Sequence, residues 1–290
     1  MSEVAVCGRT FSTAELEVIR EIIRIEDTSR LQISREVCRR FGWVKPDGKL
    51  KEMSCRVALL RLHRSGIIEL PPPRHADPNR SRHIKFTSAT DPGNPITDTL
   101  ASLGTVELIR VKTPKQSRLW NELIERYHYL GYTPLPGAQI RYLIYTNCST
   151  LLGAIGFSAA AWALRPRDEM IGWSKDQRIK NLPFVVNNSR FLILPWVKVK
   201  NLASKVLALC IKQLPQDWQN EYHYEPVLLE TFVEKERFLG TCYKAANWQK
   251  IGETKGRGKL DRKNEYALPV KDIYVYPLST KFRGVLTRLD

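Results

Sequence analysis

The segment that most limits how this chain can fold is the apolar run 227–233, which contains one carboxylate, Glu230. A short and nearly continuous apolar run predicts a buried β-strand. Because an isolated buried charge is costly, Glu230 must be paired or must have a raised pKa. Arg190, which lies in another apolar run, is the expected partner. The two residues form either a structural link inside the sheet or, with His128 as general acid or base, part of a reactive site.

The residues that follow this strand include two candidate nucleophiles. Cys242 lies near the start of a predicted helix at about 241–247, two residues before Lys244. Positive charge and a helix N-terminus lower the pKa of a thiol, so Cys242 is the first candidate for a covalent link to a phosphate or acyl group. Tyr243 is the second candidate, by the logic of tyrosine strand-transfer enzymes, and its alternative is an amphipathic core residue. The alternative for Cys242 is the usual role of a free cysteine, a small buried hydrophobe.

A basic stretch with several glycines completes this region. Residues 244–263 hold seven basic and two acidic side chains. Glycines let the backbone approach a phosphate, and Trp248 or Tyr243 offers a ring on which an unpaired base can stack. The predicted nucleic-acid contacts of this stretch are Lys244, Asn247, Trp248, Lys255, Arg257 and Lys259. The alternative is a flexible, solvated loop.

The charge balance of the whole chain favours a polyanionic partner. Its 290 residues contain 46 basic and 30 acidic side chains, a formal charge of +16. Most of this excess lies in residues 104–290, which hold 29 basic and 17 acidic side chains. Cationic surfaces bind nucleic acid by releasing counterions from its phosphates. We therefore predict that the protein binds nucleic acid, with DNA as the expected form.

Residues 1–70 predict a small helical domain that binds DNA. Ser12 and Glu15 form a capping-box pattern before the first helix, and further helices are expected at about 30–41 and 51–64, before a strand at 67–70. This order suggests a winged-helix or helix-turn-helix unit. The predicted DNA contacts are Arg35, Arg39, Arg40, Lys49, Lys51 and Arg56. A helical bundle with solvated charges is the alternative.

The remaining residues predict a linker and one larger domain. Residues 71–103 contain six prolines and little apolar periodicity, which indicates an extended connector. Residues 104–290 alternate strand and helix patterns in the order β-α-β-β-α-β-α-β-α-β, with one helix capped by Ser117 and another that ends near Leu214. The expected fold class is α/β (α+β), with a mixed sheet in the larger domain.

The element order of residues 104–290 is similar to that of the GNAT-type N-acetyltransferases. The stretch that would correspond to the glycine-rich, pyrophosphate-binding loop of that family is 190–204. Asn201 and Ala203 stand where the family prefers glycine. The resemblance therefore implies the fold, while these two departures argue against binding of acetyl-coenzyme A.

Several classes of protein are disfavoured by composition. The six cysteines are scattered without C-x-x-C spacing, which argues against a zinc ribbon. No signal-peptide pattern and no apolar stretch of membrane-spanning length is present, so we expect a cytoplasmic protein with reduced thiols and no membrane partner. No cofactor is predicted. Acidic residues near the key segments keep a divalent-metal site open as a weaker alternative: Asp168, Glu169, Glu234 and Glu236.

Motifs along nearly the whole chain resemble the DruA family of the Druantia anti-phage defence system. These motifs lie at residues 43–48, 128–131, 171–173, 188–195, 201–204, 230–248 and 252–256. The resemblance implies a bacterial defence function alongside other Druantia proteins. It implies no particular reaction, so the chemistry considered above rests on residue types.

Three functions follow from these observations. The first is a two-domain DNA-binding defence protein that acts on phosphodiester bonds, by nicking or strand transfer near Cys242. The second is a recognition or adaptor module with a degenerate acyltransferase-like core and no catalysis. The third is an acyltransferase that modifies a base or a protein.

Overall fold

The computed structural model describes residues 3–7, 9–74, 84–256 and 268–289. The chain divides into two compact units, Met1–Arg82 (unit 1) and His83–Asp290 (unit 2). Each unit has its own core of buried apolar side chains. The division falls within the stretch that the sequence analysis assigned to a linker, residues 71–103.

Unit 1 combines a short hairpin with three helices. Its elements are β1 (Val4–Val6), β2 (Arg9–Phe11), α1 (Thr13–Ile23), α2 (Arg30–Arg40) and α3 (Glu52–Arg64). Capping boxes start α1 at Ser12 and α2 at Ser29, where each serine accepts a backbone hydrogen bond and the side chain three residues later accepts one in return. The predicted capping box at Ser12 is therefore confirmed.

Two features of unit 1 differ from the sequence-based expectation. Residues 67–70 form no strand, and the hairpin precedes the helices, so the winged-helix assignment stays a prediction. The apolar residues Met53, Val57 and Leu60 recur at helical spacing and predict the inward face of α3, but the helix turns a different face inward. Met53 and Val57 are exposed, whereas the small Cys55 and Ala58 are buried. Both sets recur at helical spacing, and the small side chains allow α3 to pack closely, which apolar periodicity alone does not reveal.

Unit 2 is built on a mixed sheet that has seven strands among the described residues. Its elements in chain order are β3 (Val106–Arg110), α4 (Pro114–Tyr127), β4 (Ile140–Thr146), β5 (Leu151–Ala159), α5 (Arg165–Ile171), α6 (Lys175–Asn181), β6 (Val185–Ile193), α7 (Leu202–Tyr222), β7 (Leu228–Glu234), α8 (Thr241–Ala245), β8 (Gln249–Glu253), β9 (Lys271–Pro277) and α9 (Phe282–Leu286). The strand order is β3-β4-β5-β6-β7-β9-β8. The predicted mixed sheet is confirmed.

Helices cover both faces of this sheet. Successive residues of a strand point to opposite faces. Arg141 of β4 donates to Asn121 of α4, whereas the neighbouring Tyr142 donates to Asp217 of α7. On β7, Glu230 contacts α5, whereas Thr231 approaches Tyr243 of α8. Helices α4 and α5 therefore lie on one face, and α7 and α8 lie on the other.

The β6–β7 pair is the only parallel pair among the described strands, and it is short. Val185–Asn188 pairs with Leu228–Thr231, and the pairing then stops. Beyond this point β6 stays paired with β5 and β7 stays paired with β9, so the two strands separate. A bulge between Gly156 and Phe157 bends the ladder at the same level. The sheet therefore opens between its two central strands.

Three boundaries in unit 2 require correction. Thr90 is buried and donates to Glu122 at 2.7 Å, so the second part of the predicted linker packs on this unit instead of remaining an exposed connector. Thr113, and not Ser117, caps α4. Helix α7 continues through Pro215 instead of ending near Leu214, because Leu214 and Trp218 both bury on its inner face. This packing compensates for the one backbone donor that proline lacks.

Candidate functional site

A cavity of about 570 Å³, the β6–β7 cavity, lies where these two strands separate. Its floor comes from β6 and β7, and its walls come from the chain after α4 and from the β7–α8 loop. Three of the predicted catalytic residues line it: His128, Cys242 and Tyr243. The structure therefore brings His128 beside Cys242 and Tyr243, although it is far from both in sequence.

His128 ends α4 and lines the cavity as a neutral ring. Its Nδ1 accepts a hydrogen bond from the Leu130 amide at 3.2 Å, which leaves Nε2 as the nitrogen that carries hydrogen. Burial, together with the charges of Arg190 and Lys271, lowers the pKa of His128 to about 4. At neutral pH the ring therefore offers a hydrogen-bond donor at Nε2 and is a weak base.

Cys242 is half-buried in the wall of the cavity, near the start of α8. Burial raises the pKa of its thiol, although two backbone hydrogen bonds oppose the shift. The thiolate is the reactive form, so this environment disfavours a nucleophile at neutral pH. The expected lowering of the pKa by Lys244 and the helix N-terminus is therefore wrong, because removal from water is the larger effect.

The two aromatic residues predicted to stack on a base are both buried. The Tyr243 hydroxyl donates to Asn188 Oδ1 at 2.7 Å, and burial raises the pKa of this phenol. The Trp248 ring packs against the Tyr243 ring with the centroids 5.2 Å apart. Trp248 is only 4% exposed, so it has no free ring face for a base. Both residues are core residues, which corrects their predicted role in stacking.

Arg190 positions the wall of the cavity and does not reach Glu230. Its guanidinium donates to the Gly131 carbonyl at 3.3 Å, to the Ser189 carbonyl at 2.8 Å and to Thr133 Oγ1 at 2.9 Å. No described acidic residue pairs with it. Its positive charge therefore persists beside the cavity, where it acts on His128.

Glu230 pairs with Arg167 on the opposite face of the sheet. The Glu230 Oε2 to Arg167 Nη1 distance is 2.8 Å, and both side chains are 0% exposed. Glu230 also accepts a hydrogen bond from the Ala161 amide at 2.7 Å. The prediction that Glu230 must be paired is confirmed, but Arg190 as its partner is wrong. Arg167 also pairs with Asp168, so α5 is held to the sheet by a buried ionic network.

The described part of the chain contains no arrangement of side chains that supports the weaker alternative, a divalent-metal site. Among residues 3–7, 9–74, 84–256 and 268–289, no group of three or more His, Cys, Asp or Glu side chains could hold a metal ion. Asp168, one of the acids considered for that role, accepts hydrogen bonds from Arg167 and Trp173.

No helix among residues 3–7, 9–74, 84–256 and 268–289 is long and apolar enough to cross a membrane.

Most predicted DNA contacts of unit 1 are neutralised by neighbouring acids. Ion pairs join Arg35 to Glu52, Arg39 and Arg40 to Glu36, and Lys49 to Asp47. Lys51 is half-buried, and burial lowers its pKa. Arg56 is exposed beside Met53. Unit 1 therefore offers less unpaired positive charge than its composition suggests.

A second concave surface in unit 2, the lysine groove, lies between α7 and the end of α8. Its volume is about 390 Å³. Lys205 and Lys212 line it two helical turns apart on α7, and Asn247 lines it beyond α8. Lys244 is exposed on α8 next to Ala245, another lining residue. None of the three lysines pairs with a described acid, and the lining contains no acidic residue.

The structure thus groups the predicted residues differently from the sequence. Lys244 and Asn247 are exposed at the lysine groove, and Lys255 is exposed beyond β8. Arg257 and Lys259 lie outside the described residues. Sequence reasoning missed five residues at these surfaces: Tyr129, Phe238, Leu239, Lys205 and Lys212. The last two had a signal, since they are spaced seven apart on a helix whose inner face is apolar.

The family model for the Druantia protein DruA matches residues 61–267 of this chain. The chain belongs to the DruA family. The match confirms the resemblance seen in the sequence motifs and supports a role in the Druantia defence system. A comparison with curated proteins finds no match.

Solved structures that resemble this chain include N-acetyltransferases. A chimera of the Vibrio cholerae spermidine N-acetyltransferase SpeG and hSSAT has a TM-score of 0.40 and 12% identity over 63% of this chain and 99% of its own. The Escherichia coli ribosomal-protein-S18-alanine N-acetyltransferase has a TM-score of 0.39 and 9% identity over 61% of this chain and 96% of its own. At these values the acetyltransferases identify no ligand for this family member, and the GNAT-like core stays a prediction.

Proposed function

We propose that this protein binds nucleic acid for a Druantia defence system, and that the lysine groove of unit 2 contacts the phosphate backbone. One observation carries this proposal: Lys205 and Lys212 line a concave surface, Lys244 is exposed beside its lining residue Ala245, and none of the three pairs with a described acid. Unpaired ammonium groups attract phosphates because no acidic side chain in the described part of the protein already neutralises them. The ion pairs of unit 1 make its arginines weaker candidates.

The small side chains of the groove support contact with a backbone. Ala208, Ala245 and Ala246 line it between the lysines. A floor of small residues allows a sugar–phosphate chain to approach the helix surfaces closely, while the longer lysines reach the phosphates from either side. Such contacts fix the position of a strand but do not read its sequence. We therefore infer binding with little sequence preference.

We further propose recognition, and not phosphodiester chemistry, as the task of this site. Burial raises the pKa of the Cys242 thiol, and the lowered pKa of His128 makes it a poor base. Glu230 is engaged by Arg167 on the other face of the sheet. These features support the adaptor alternative. Nicking of supercoiled plasmid by the wild type, lost in Cys242→Ala, would contradict this part of the proposal.

The contact surface is tested by fluorescence anisotropy with labelled single-stranded and duplex DNA over a range of salt concentrations. The triple variant Lys205→Gln, Lys212→Gln, Lys244→Gln should bind about 10- to 100-fold more weakly and show a smaller salt dependence. The matched control removes three cations from the opposite face of the sheet: Lys112→Gln, Lys115→Gln, Arg118→Gln. These residues are exposed at the start of α4.

The control should stay within about twofold of the wild type, apart from a small effect of net charge. Equal loss in the two triple variants would show that affinity follows net charge, and the lysine groove would be rejected. Absence of binding by the wild type at low salt would reject the proposed function itself.

A further inference from the structure

The β6–β7 cavity has an exposed apolar mouth that packing among the described residues does not cover. Phe238 is 49% exposed and Leu239 is 77% exposed in the β7–α8 loop, and Tyr129 is 37% exposed after α4. The Tyr129 and Phe238 rings lie 5.4 Å apart between centroids. Apolar side chains collected around a concave opening mark a binding site more often than isolated exposed ones.

The interior of the cavity combines flat apolar walls with a few polar groups. Phe191 and Tyr127 add aromatic surface to its lining, which otherwise includes aliphatic side chains. His128 presents the donor nitrogen described above, and Ser189 and Thr241 contribute hydroxyl groups. A volume of about 570 Å³ is within the range of small-molecule sites. Stacking surface with edge donors and acceptors is what a nucleobase requires.

The charges around the cavity favour an anionic occupant. No acidic residue appears among its described lining. The Arg190 guanidinium lies beside it and pairs with none of the acids that the structure describes, and the Arg237 guanidinium lies 5.4 Å from the centre of the Tyr129 ring. Arg237 shares its charge with Glu234 at 2.8 Å. A base that carries a phosphate matches this combination of aromatic walls and nearby cations.

The cavity and the lysine groove are neighbours along two helices. Ala203 lines the cavity and Ser204 lines the groove at the start of α7. Tyr243 lines the cavity and Ala245 lines the groove on α8. At a rise of 1.5 Å per residue, the whole of α8 spans only about 7.5 Å. A strand bound along the groove therefore passes within a short distance of the cavity.

We propose that the β6–β7 cavity binds a nucleobase with its attached phosphate, supplied as an unpaired base of the strand held in the lysine groove. This inference rests on the proposed function. The exposed Phe238 ring stacks on the base, the Tyr129 ring borders it, and the neutral His128 donates to its edge. The arrangement selects single-stranded or distorted nucleic acid, because a base inside a regular duplex cannot reach the cavity.

The test compares a single-stranded oligonucleotide with the same oligonucleotide whose central nucleotides are abasic. Stacking of one base contributes about 1–3 kcal/mol, so the intact strand should bind the wild type roughly 5- to 160-fold more tightly. In Phe238→Ala, and separately in Leu239→Ser, this ratio should approach one. Both side chains are exposed, so these variants keep the fold. Phe86→Ala, which removes an exposed ring outside the cavity, should keep the full ratio.

The lysine triple variant separates this inference from the proposed function. It should weaken binding of the intact and abasic strands by the same factor and leave their ratio unchanged. Tight binding of both strands by the wild type with a ratio of one would overturn the base-binding cavity while the groove stands. Absence of binding to either strand would overturn the cavity together with the proposed function.

A free nucleotide is distinguished by adding dAMP in place of a strand. Saturable binding of dAMP that Phe238→Ala abolishes, with equal affinity for the intact and abasic strands, would overturn the strand-borne base and assign a free nucleotide to the cavity. A ratio of one with no response to dAMP would overturn the inference and leave an apolar segment of a partner protein as the occupant.

Discussion

Glu230 and Arg167 form an ion pair with an Oε2–Nη1 distance of 2.8 Å inside the protein, with both side chains 0% exposed. Glu230 lies on the central strand β7 and Arg167 lies on the short helix α5, so the ion pair fixes α5 on one face of the sheet. The neighbouring residue, Thr231, points to the other face and donates to the Asn188 carbonyl at 3.0 Å. One step along β7 thus separates a structural network from the candidate ligand cavity.

Replacement of this carboxylate should destabilise the fold without affecting recognition. Glu230→Gln leaves Arg167 buried with Asp168 as its remaining acid, and we expect a loss of about 3 kcal/mol in the free energy of unfolding. Denaturant unfolding measures this loss. The control Glu236→Gln removes an exposed carboxylate and should change stability by less than about 0.5 kcal/mol. Normal stability with lost nucleic-acid binding would instead indicate a direct role for Glu230.

A methyl group at Gly240 should disturb the start of α8. Gly240 has a φ of 66°, and a Cβ there would lie 2.6 Å from the Tyr274 hydroxyl. Gly240→Ala should therefore cost more than backbone strain alone, about 3 kcal/mol in unfolding free energy, because the Tyr274 ring is buried and cannot move away. Gly172→Ala is the matched control, since Gly172 has a φ of 78° and open space at its Cβ. Equal costs for the two variants would disprove the steric part of the argument.

The lowered pKa of His128 predicts an acid-labile fold near the cavity. The pKa of His128 is about 4 in the folded protein and about 6.5 when unfolded, so between these values the unfolded chain binds more protons. The stabilising contribution is present above pH 6.5 and is lost as the pH falls towards 4. Solvent screening at the half-buried ring limits the loss to on the order of 1–2 kcal/mol.

This pH effect is measured as the difference in unfolding free energy between the wild type and His128→Gln from pH 7 to pH 4. The unfolding free energy of the wild type, relative to that of His128→Gln, should decrease as the pH falls. A constant difference would show that His128 titrates near its ordinary pKa, and its assignment as a neutral hydrogen-bond donor would then fail.

Thiol reactivity should rank Cys148 ahead of Cys242. Cys148 is exposed, whereas Cys242 is half-buried with a raised pKa and a smaller thiolate fraction. A disulfide reagent at pH 8 should modify Cys242 at least about tenfold more slowly. The fast phase of thiol modification should disappear in the variant Cys148→Ser, which would assign that phase to Cys148. If Cys242→Ser removes the fast phase instead, the thiol is activated and the nucleophile hypothesis returns.

Local pattern was sufficient for much of the secondary structure. The capping boxes at Ser12 and Ser174, the hairpin formed by β4 and β5, and the buried strand at β7 are all readable from residue order. These features depend on contacts between residues a few positions apart, which a sequence displays directly. The sequence pattern does not predict strand β8, because its residues are mostly polar and exposed at the edge of the sheet.

The sequence by itself determined that Glu230 needs a partner, that the chain carries a large excess of positive charge and that it belongs to the DruA family. Only the tertiary structure decided which arginine pairs with Glu230, which lysines remain unpaired and which aromatic rings reach solvent. Residue order does not favour Arg167 over Arg190 as the partner of Glu230. The register of the strands, and the face of the sheet on which each side chain lies, determine that Arg167 forms the pair. Partner choice and exposure are properties of distant segments brought together by packing, and residue order does not contain them.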